Sequence, residues 1–339
     1  MNFIFSAISI IIRSRISYAG EARRPFYTIK GTRGLMAESF HYGGQAVIDG
    51  VMIRGKEGVA ISVRQPDGQL NVVRQPLASI YKGRLREMPL IRGIIALVET
   101  LVLGTQSLLH SAQVAATEEV GEKIPAAVLW GTVGASLALG VALFFMVPLF
   151  ATRYLIDPYI ESALLSNIFE GLIRIGIFIG YLKVTSLIPD IRKVFAYHGA
   201  EHKTVNAYEA GVALEVDSVK KYSTAHARCG TAFLFIVLIV AIFVFALVGQ
   251  PSLWIRILSR IALIPVIAMI SYEIMKFGAS HSRNPVVRIL LAPGLLLQSL
   301  TTREPDDSQI EAAIAALNEV ISIDQPVITI VGADEPLTE

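Results

Sequence analysis

A mainly α-helical membrane protein, with about four transmembrane helices, interfacial helices and a small N-terminal β-hairpin region, is the fold class this 339-residue chain predicts. Three observations carry that reading. Only 17% of the residues are charged, against roughly 25% in an average soluble protein, and the mean hydropathy is +0.56. Residues 124–152 and 229–255 hold no charge at all, and each exceeds the ~20 apolar residues that a helix needs to cross a bilayer. The basic residues fall into alternating loops: residues 13–92 carry 14 Lys+Arg against 6 Asp+Glu, and the linker 189–228 carries 6 Lys+Arg. The intervening loops are short and poor in Lys and Arg, a bias that places the basic loops in the cytoplasm.

Taken in order, the chain opens with MNFIFSAISIIIRSR, about 12 largely apolar residues without a basic leader or a small-residue cleavage site. This predicts an interfacial anchor within a segment 1–40 rather than a signal peptide. Residues 41–92 read as a small cytoplasmic β region. QAVIDGVMIRG, GVAISVRQPDG and QLNVVRQP are rich in β-branched residues and punctuated by Gly and PDG, as three short strands joined by hairpins would be. Within residues 93–123 an apolar run is interrupted by Glu99, Gln106 and His110, which suits an interfacial or re-entrant helix better than a span.

The membrane domain covers residues 124–276, with spans at 124–152, 164–183, 229–255 and 255–276 and a cytoplasmic linker at 189–228. The second span carries Glu170 and Arg174, and the fourth carries Arg256, Arg260 and Glu273. Charges inside a bilayer are costly unless paired. Glu170 and Arg174 can pair by their i,i+4 spacing, and those of the fourth span can join them if it lies alongside. Residues 277–339 form a cytoplasmic C-terminal region. VVRILLAPGLLLQSL is short and broken by Pro293-Gly294, a second interfacial or re-entrant candidate. DDSQIEAAIAALNEVI has a helix start at Asp307 or Ser308 and repeats Ile310, Ile314, Leu317 and Ile321 at helical spacing, a face that must cover the strands or the linker. Four spans leave both termini in the cytoplasm, whereas five would invert the later loops.

The chemistry concentrates in YHGAEHKTVNAYEAG, residues 197–211, which holds the order H-x-x-E-H. On a helix, His198 and His202 lie one turn apart on one face and can meet one divalent ion, with zinc the first expectation. Glu201 beside them has the place of a general base in inverted zinc proteases. Gly199 and Ala200 add little bulk there, which would leave room for a substrate. Glu209, seven residues beyond His202, is about 10 Å along the axis and too far to share the ion. Further ligands must come from elsewhere. HARC offers His226 and Cys229, and SHSRNP offers His281, the first choice; His41 is a further imidazole expected on the same side. The single cysteine excludes an internal disulfide.

The stretches HYGGQAVIDGVMIRG, FAYHGAEHKTVNAYEAG, RCGTAFLFIVLIV, SYEIMKF and APGLLLQSLTTREPDDSQIEAAIAAL resemble, in order, the signature blocks of the bacterial YqhQ family. Asp49 and Ala227 stand where that family more often has glutamate and proline. The resemblance implies a multi-pass protein of the bacterial cell membrane and hints at metal dependence. It supplies no reaction. The residues then admit three readings: a metal-dependent hydrolase acting on a peptide or lipid at the bilayer, a transporter or membrane-protein assembly factor, or a scaffold around a structural metal. Three protein ligands plus water favour the enzyme and four favour the scaffold. Few polar residues lie within the spans, which ranks transport below the enzyme, and no nucleic-acid partner is expected.

Overall fold

The computed structural model of the protein describes residues 41–120, 124–281 and 284–325, with backbone only at 117–120. The anchor expected within 1–40 lies outside these residues. Four strands, β1 (Gly43–Val47), β2 (Gly50–Arg54), β3 (Gly58–Arg64) and β4 (Leu70–Pro76), form an antiparallel sheet in sequence order. The stretch expected as a single strand, QAVIDGVMIRG, is two. Val47 pairs with Gly50 across a two-residue turn, and Asp49 adopts φ 52° there, a left-handed conformation that Asp tolerates better than most residues. The turn residues are Ile48 and Asp49, with Gly50 already in β2, so the loop lacks the usual Asn-Gly or Asp-Gly signature. The PDG turn before β4 is present, with Gly68 at φ +85°.

Both faces of the sheet are covered. Val51, Ile53 and Ala60 share a core with Tyr197, Ala200 and Ala207 of α5 (Pro189–Glu209) and with Ile310, Ile314, Leu317 and Ile321 of α11 (Asp307–Asp324). The predicted apolar face of the C-terminal helix is therefore buried, against strands and linker helix alike. Asp306 caps α11 in a capping box with Gln309, one residue earlier than expected. Met52, Val59, Ile61 and Val63 point the other way, as the two-residue period of a strand requires, and meet Ile95, Leu103 and Val114 of α1 (Ile91–Val120).

Helix α1 is held to the sheet along its length. Glu99 accepts from Arg54 (2.9 Å) and Arg86, the Gln45 amide donates to the Gly104 carbonyl (3.0 Å), and the Ile48 N–H donates to Ser111 Oγ (3.2 Å). Its other side exposes Ile91, Val98, Leu101 and Leu108.

The apolar helices follow. α2 (Ala126–Val141), a π-turn (Ala142–Met146) and α3 (Val147–Leu155) form part of one 34-residue candidate span, Ala126–Tyr159. α4 (Ala163–Thr185) and α7 (Gly230–Val248) are long and apolar enough to cross a bilayer, and so is Ile91–Ala116 of α1. A four-residue helix α6 (Val216–Val219) lies between α5 and α7. The fourth expected span, 255–276, is not one straight helix: α8 (Leu253–Ala262) and α9 (Ile264–Ser280) meet at a 44° bend. Pro265, the second residue of α9, has no N–H with which to continue the α8 ladder. α10 (Pro285–Thr301) is a shorter apolar helix containing Pro293.

Glu170 is the hub of a buried charge cluster. Its carboxylate accepts from Arg174 (2.7 Å), Arg256 (3.0 Å) and Arg260 (2.7 and 2.8 Å). Arg256 also donates to Asp157 (2.8 Å), and Arg174 donates to the Phe144 carbonyl (2.8 Å) inside the π-turn, where the regular helical hydrogen-bond ladder is interrupted. Arg260 stacks on Phe245 at 4.2 Å. Glu273 stands apart from this cluster and pairs with Arg92.

Candidate metal centre

Helix α5 carries the H-x-x-E-H motif without a break, so His198 and His202 occupy successive turns, their rings 4.4 Å apart. Each ring is fixed from behind. His198 Nδ1 lies 2.8 Å from the Thr301 carbonyl at the end of α10, and His202 Nδ1 lies 2.6 Å from the Thr224 carbonyl. A carbonyl oxygen only accepts, so each Nδ1 carries the proton and each Nε2 keeps its lone pair. Cys229 is the N-cap of α7, with its Sγ 3.3 Å from His198 Nε2. One ligand atom each from His198, His202 and Cys229 falls within 4.8 Å of the others. Zinc bond lengths put N and S ligands of one tetrahedral ion about 3.5 Å apart, so the donor set fits such an ion.

Glu201 is buried beside them at 4% exposure. It accepts a 3.0 Å hydrogen bond from the Gly44 N–H of β1. Gly44 is packed so closely on β2 that a Cβ would collide with the Met52 carbonyl. Glu201, Tyr42, Gly44, His226, Arg228 and the three residues of the cluster line a common cavity of about 40 Å³, room for an ion and a water.

His226 lines this cavity from outside the three-residue cluster. Gln298 clamps its backbone from both sides, donating to its carbonyl (2.8 Å) and accepting from its N–H (2.9 Å). Its Nε2 faces Glu209 at 3.5 Å. Glu209 also pairs with Arg228, and His41 stands 3.5 Å away. Burial raises the Glu209 carboxyl, but the His226 hydrogen bond and the Arg228 charge outweigh it and hold its pKa at about 2.

Two expectations are corrected. His281, the first choice for a third ligand, is not in the cluster. It is exposed at the end of α9, stacked on Phe277 with Nδ1 3.0 Å from the Phe277 carbonyl. Gly199 does not make room for a substrate: a Cβ there would collide with the Arg303 carbonyl, so the space holds the protein's own backbone. Sequence reasoning also missed Gly44 and Arg228 in the cavity and Gln298 behind it. Arg228 sits inside the quoted HARC, next to a candidate ligand, which was its only signal.

Residues 88–323 match the family described as Protein of unknown function (DUF1385). The Uncharacterized protein YqhQ of Bacillus subtilis (strain 168) is 34% identical over 296 residues, which cover 84% of this chain and 93% of that protein. No solved structure matches. The matched segment contains the histidines, the cysteine and the glutamate of the cavity, and the chain belongs to the DUF1385 family.

Proposed function

We propose that the protein is an integral membrane hydrolase with a divalent metal, most simply zinc, at His198, His202 and Cys229. The observation that carries this is the convergence of three ligand atoms within 4.8 Å beside a buried glutamate that lines the same cavity. Two imidazoles and a thiolate are a donor set suited to zinc. When bound, the cation supplies Lewis-acid polarisation of a substrate oxygen and of water. Glu201, with one oxygen tied to the Gly44 N–H, has its other oxygen to take the proton of the attacking water. It then delivers that proton to the leaving group as the bond to the attacked carbon breaks. Arg228, paired with Glu209, closes the cavity wall. A fully protein-ligated structural site would need a fourth ligand, and His226 turns its Nε2 to Glu209 instead. The charges of the buried cluster are bound to one another around Glu170, which favours a structural role over a transport path.

The membrane placement follows from parity. The sheet, α5 and α11 share one core, so they lie on one side of the bilayer. An even number of crossings must then separate β4 from α5, and α5 from α11. Of α1, α2–α3 and α4, only two cross; α1, covered by the sheet along its length, stays at the surface. Beyond α5, α7 and the bent α8–α9 pair cross, and α10 stays at the surface. The Lys and Arg excess of the loops on this side supports a cytoplasmic placement.

Protein purified without chelator should contain about one divalent ion per chain by elemental analysis, and His198→Ala, His202→Ala and Cys229→Ser should each lose it, because two ligands hold zinc poorly. Glu201→Gln should keep the ion. Wild-type protein free of stoichiometric metal would overturn the reading, and loss of metal in Glu201→Gln would make Glu201 part of the ion's support instead of its base.

A further inference from the structure

Strand β1 is an edge of the sheet: β2 pairs with one side of it and, among the described residues, no strand pairs with the other. The register fixes which of its backbone groups face out. On either side of β2 the Arg64 N–H donates to the Asp49 carbonyl (2.7 Å) and the Gly55 N–H to the Gly58 carbonyl (2.8 Å). In β2, therefore, Val51 and Ile53 turn their backbone groups to β3, while Gly50, Met52 and Arg54 turn theirs to β1. The partners of those three are Val47, Gln45 and Gly43, so Gly44 and Ala46 point outward. The bond from the Gly44 N–H to Glu201 agrees with that direction. The Ile48 N–H, further along the same row, is taken by Ser111. Between those two bonded donors, the Gly44 carbonyl and both backbone groups of Ala46 have no partner among the described residues. Nor are they enclosed: Gly44 and Ile48 are exposed, and Gln45 and Ala46 are half-buried. The Gln45 side chain is tied to α1 on one face and Ala46 packs toward the α5 core on the other, which leaves the edge between them.

We infer that this edge binds an extended peptide segment as an added strand, and that the substrate cut at the metal cavity is a peptide. The inference rests on the hydrolase reading above and names its substrate class. A row that offers a carbonyl, an N–H and a carbonyl in turn is complementary to a peptide backbone, which carries donors and acceptors at the same spacing. The ester and phosphate oxygens of a phospholipid are acceptors only and could meet the N–H but neither carbonyl. Position joins the edge to the chemistry. Gly43 and Gly44 line the metal cavity, and Gly44 is bonded to the proposed general base itself. Ala46 lies two residues, about 7 Å, further along the strand, so a segment held at Ala46 needs only two more residues to reach the cavity. An added strand lies ~4.8 Å from the edge it joins and needs no pocket of its own, which suits a cavity of about 40 Å³ that admits little beyond the reacting group. In the hydrolysis, the water oxygen bonds to the amide carbon, the C–N bond breaks, and Glu201 carries the water's proton to the departing nitrogen.

The test is hydrogen–deuterium exchange of the full-length protein in detergent, resolved to single residues by electron-transfer fragmentation. The probe is a mixed library of tetrapeptides ending in a hydroxamate, a metal-binding group; the mixture keeps any one side-chain preference from deciding the result. In the free protein the Ala46 amide should exchange about tenfold faster than those of Gln45 and Val47, which are bonded to β2. With the library present, Ala46 should slow by about tenfold while Gln45 and Val47 stay as they were. The same library N-methylated at its backbone amides should leave Ala46 fast, because it has lost the donors that the edge carbonyls accept. Ala46→Pro removes the edge donor without breaking a β1–β2 bond. It should keep the metal and the affinity for acetohydroxamate, which has no peptide, and lose affinity for the library. Ala46 slowed equally by both libraries, or by neither, would overturn the peptide edge. An Ala46 amide already slow in the free protein would overturn it too, since the edge would then be taken by the chain itself or by a second copy. The two readings fail separately: protection of Ala46 by the library in metal-free wild-type protein leaves the peptide site and removes the hydrolase, whereas stoichiometric metal with an unprotected Ala46 does the reverse.

Discussion

Gly199 lies between His198 and His202, and the Arg303 carbonyl fills the place of its side chain. The Arg303 N–H also donates to the Phe195 carbonyl (2.9 Å), so the segment after α10 is clamped against α5. Gly199→Ala must push that backbone away, and overpacking of this kind costs about 1–3 kcal/mol or more. The thermal unfolding midpoint in detergent should fall, and metal affinity with it, since Thr301, two residues before Arg303, holds the His198 ring. An unchanged midpoint would show that the segment yields freely. Glu209 gives a second test. Its folded pKa of about 2 lies below the ordinary 4.5, so its stabilisation is present above the unfolded value and is lost as pH falls through the folded one. For a partly exposed group this is on the order of 2 kcal/mol. Glu209→Gln should therefore unfold more easily than wild type at pH 6 but converge with it toward pH 2, and a constant gap across that range would contradict the pairing. The histidine pair was legible in the sequence because one helical turn is a local distance. The third member of the cluster was legible only as a candidate, Cys229 ranking behind His281. His281 and Cys229 both follow or precede an apolar helix, and only the meeting of the start of α7 and the end of α10 with His198 decides which one reaches its Nε2.

Among the elements, α4 and α8 are joined through Glu170, and α7 meets the cluster through Phe245. Three buried arginines face two carboxylates there, Glu170 and Asp157, leaving one excess positive charge, eased by Phe245 and the Phe144 carbonyl. Removing a base and removing an acid are therefore not equivalent. Arg174→Met balances the cluster and should be mild. Glu170→Gln leaves the arginines without their shared partner and should cost about 3–5 kcal/mol, the scale of a broken buried ion pair. Thermal unfolding in detergent compares the two; an Arg174→Met protein less stable than Glu170→Gln would show that Arg174 matters for more than charge. The pairing of Glu170 with Arg174 was readable from i,i+4 spacing, and the share of Arg256 and Arg260 from the packing of the fourth span. Glu273 was misplaced because it lies 13 residues beyond Arg260, about 20 Å along a helix even without the bend, where it meets Arg92 of α1.

For the whole molecule, hydropathy and charge made the apolar segments evident, while the way the polar ones combine was hidden, because residues 43–76, 189–209 and 307–324 are far apart in the chain and no local pattern announces that they share a core. On the proposed membrane reading that core limits the number of crossings, for which length and composition offer four or five candidates. Reporter fusions at Asp157 should give an outside signal, and fusions at the C-terminus and in the 121–123 connection an inside one. An outside signal at 121–123 would mean that α1 crosses and that the parity argument is wrong. The divided core also sets an order of events during synthesis. The sheet leaves the ribosome first, but the helix that covers one of its faces, α11, is made almost last, after every crossing has been inserted. Until then Val51, Ile53 and Ala60 have no α11 to lie against, and the nascent sheet is an aggregation hazard of the kind that chaperones answer. A chain stopped before Asp307 should insert its apolar helices normally and still fail to assemble the metal centre, so a ribosome stalled near the 3′ end of the message would leave a membrane-bound but inert product.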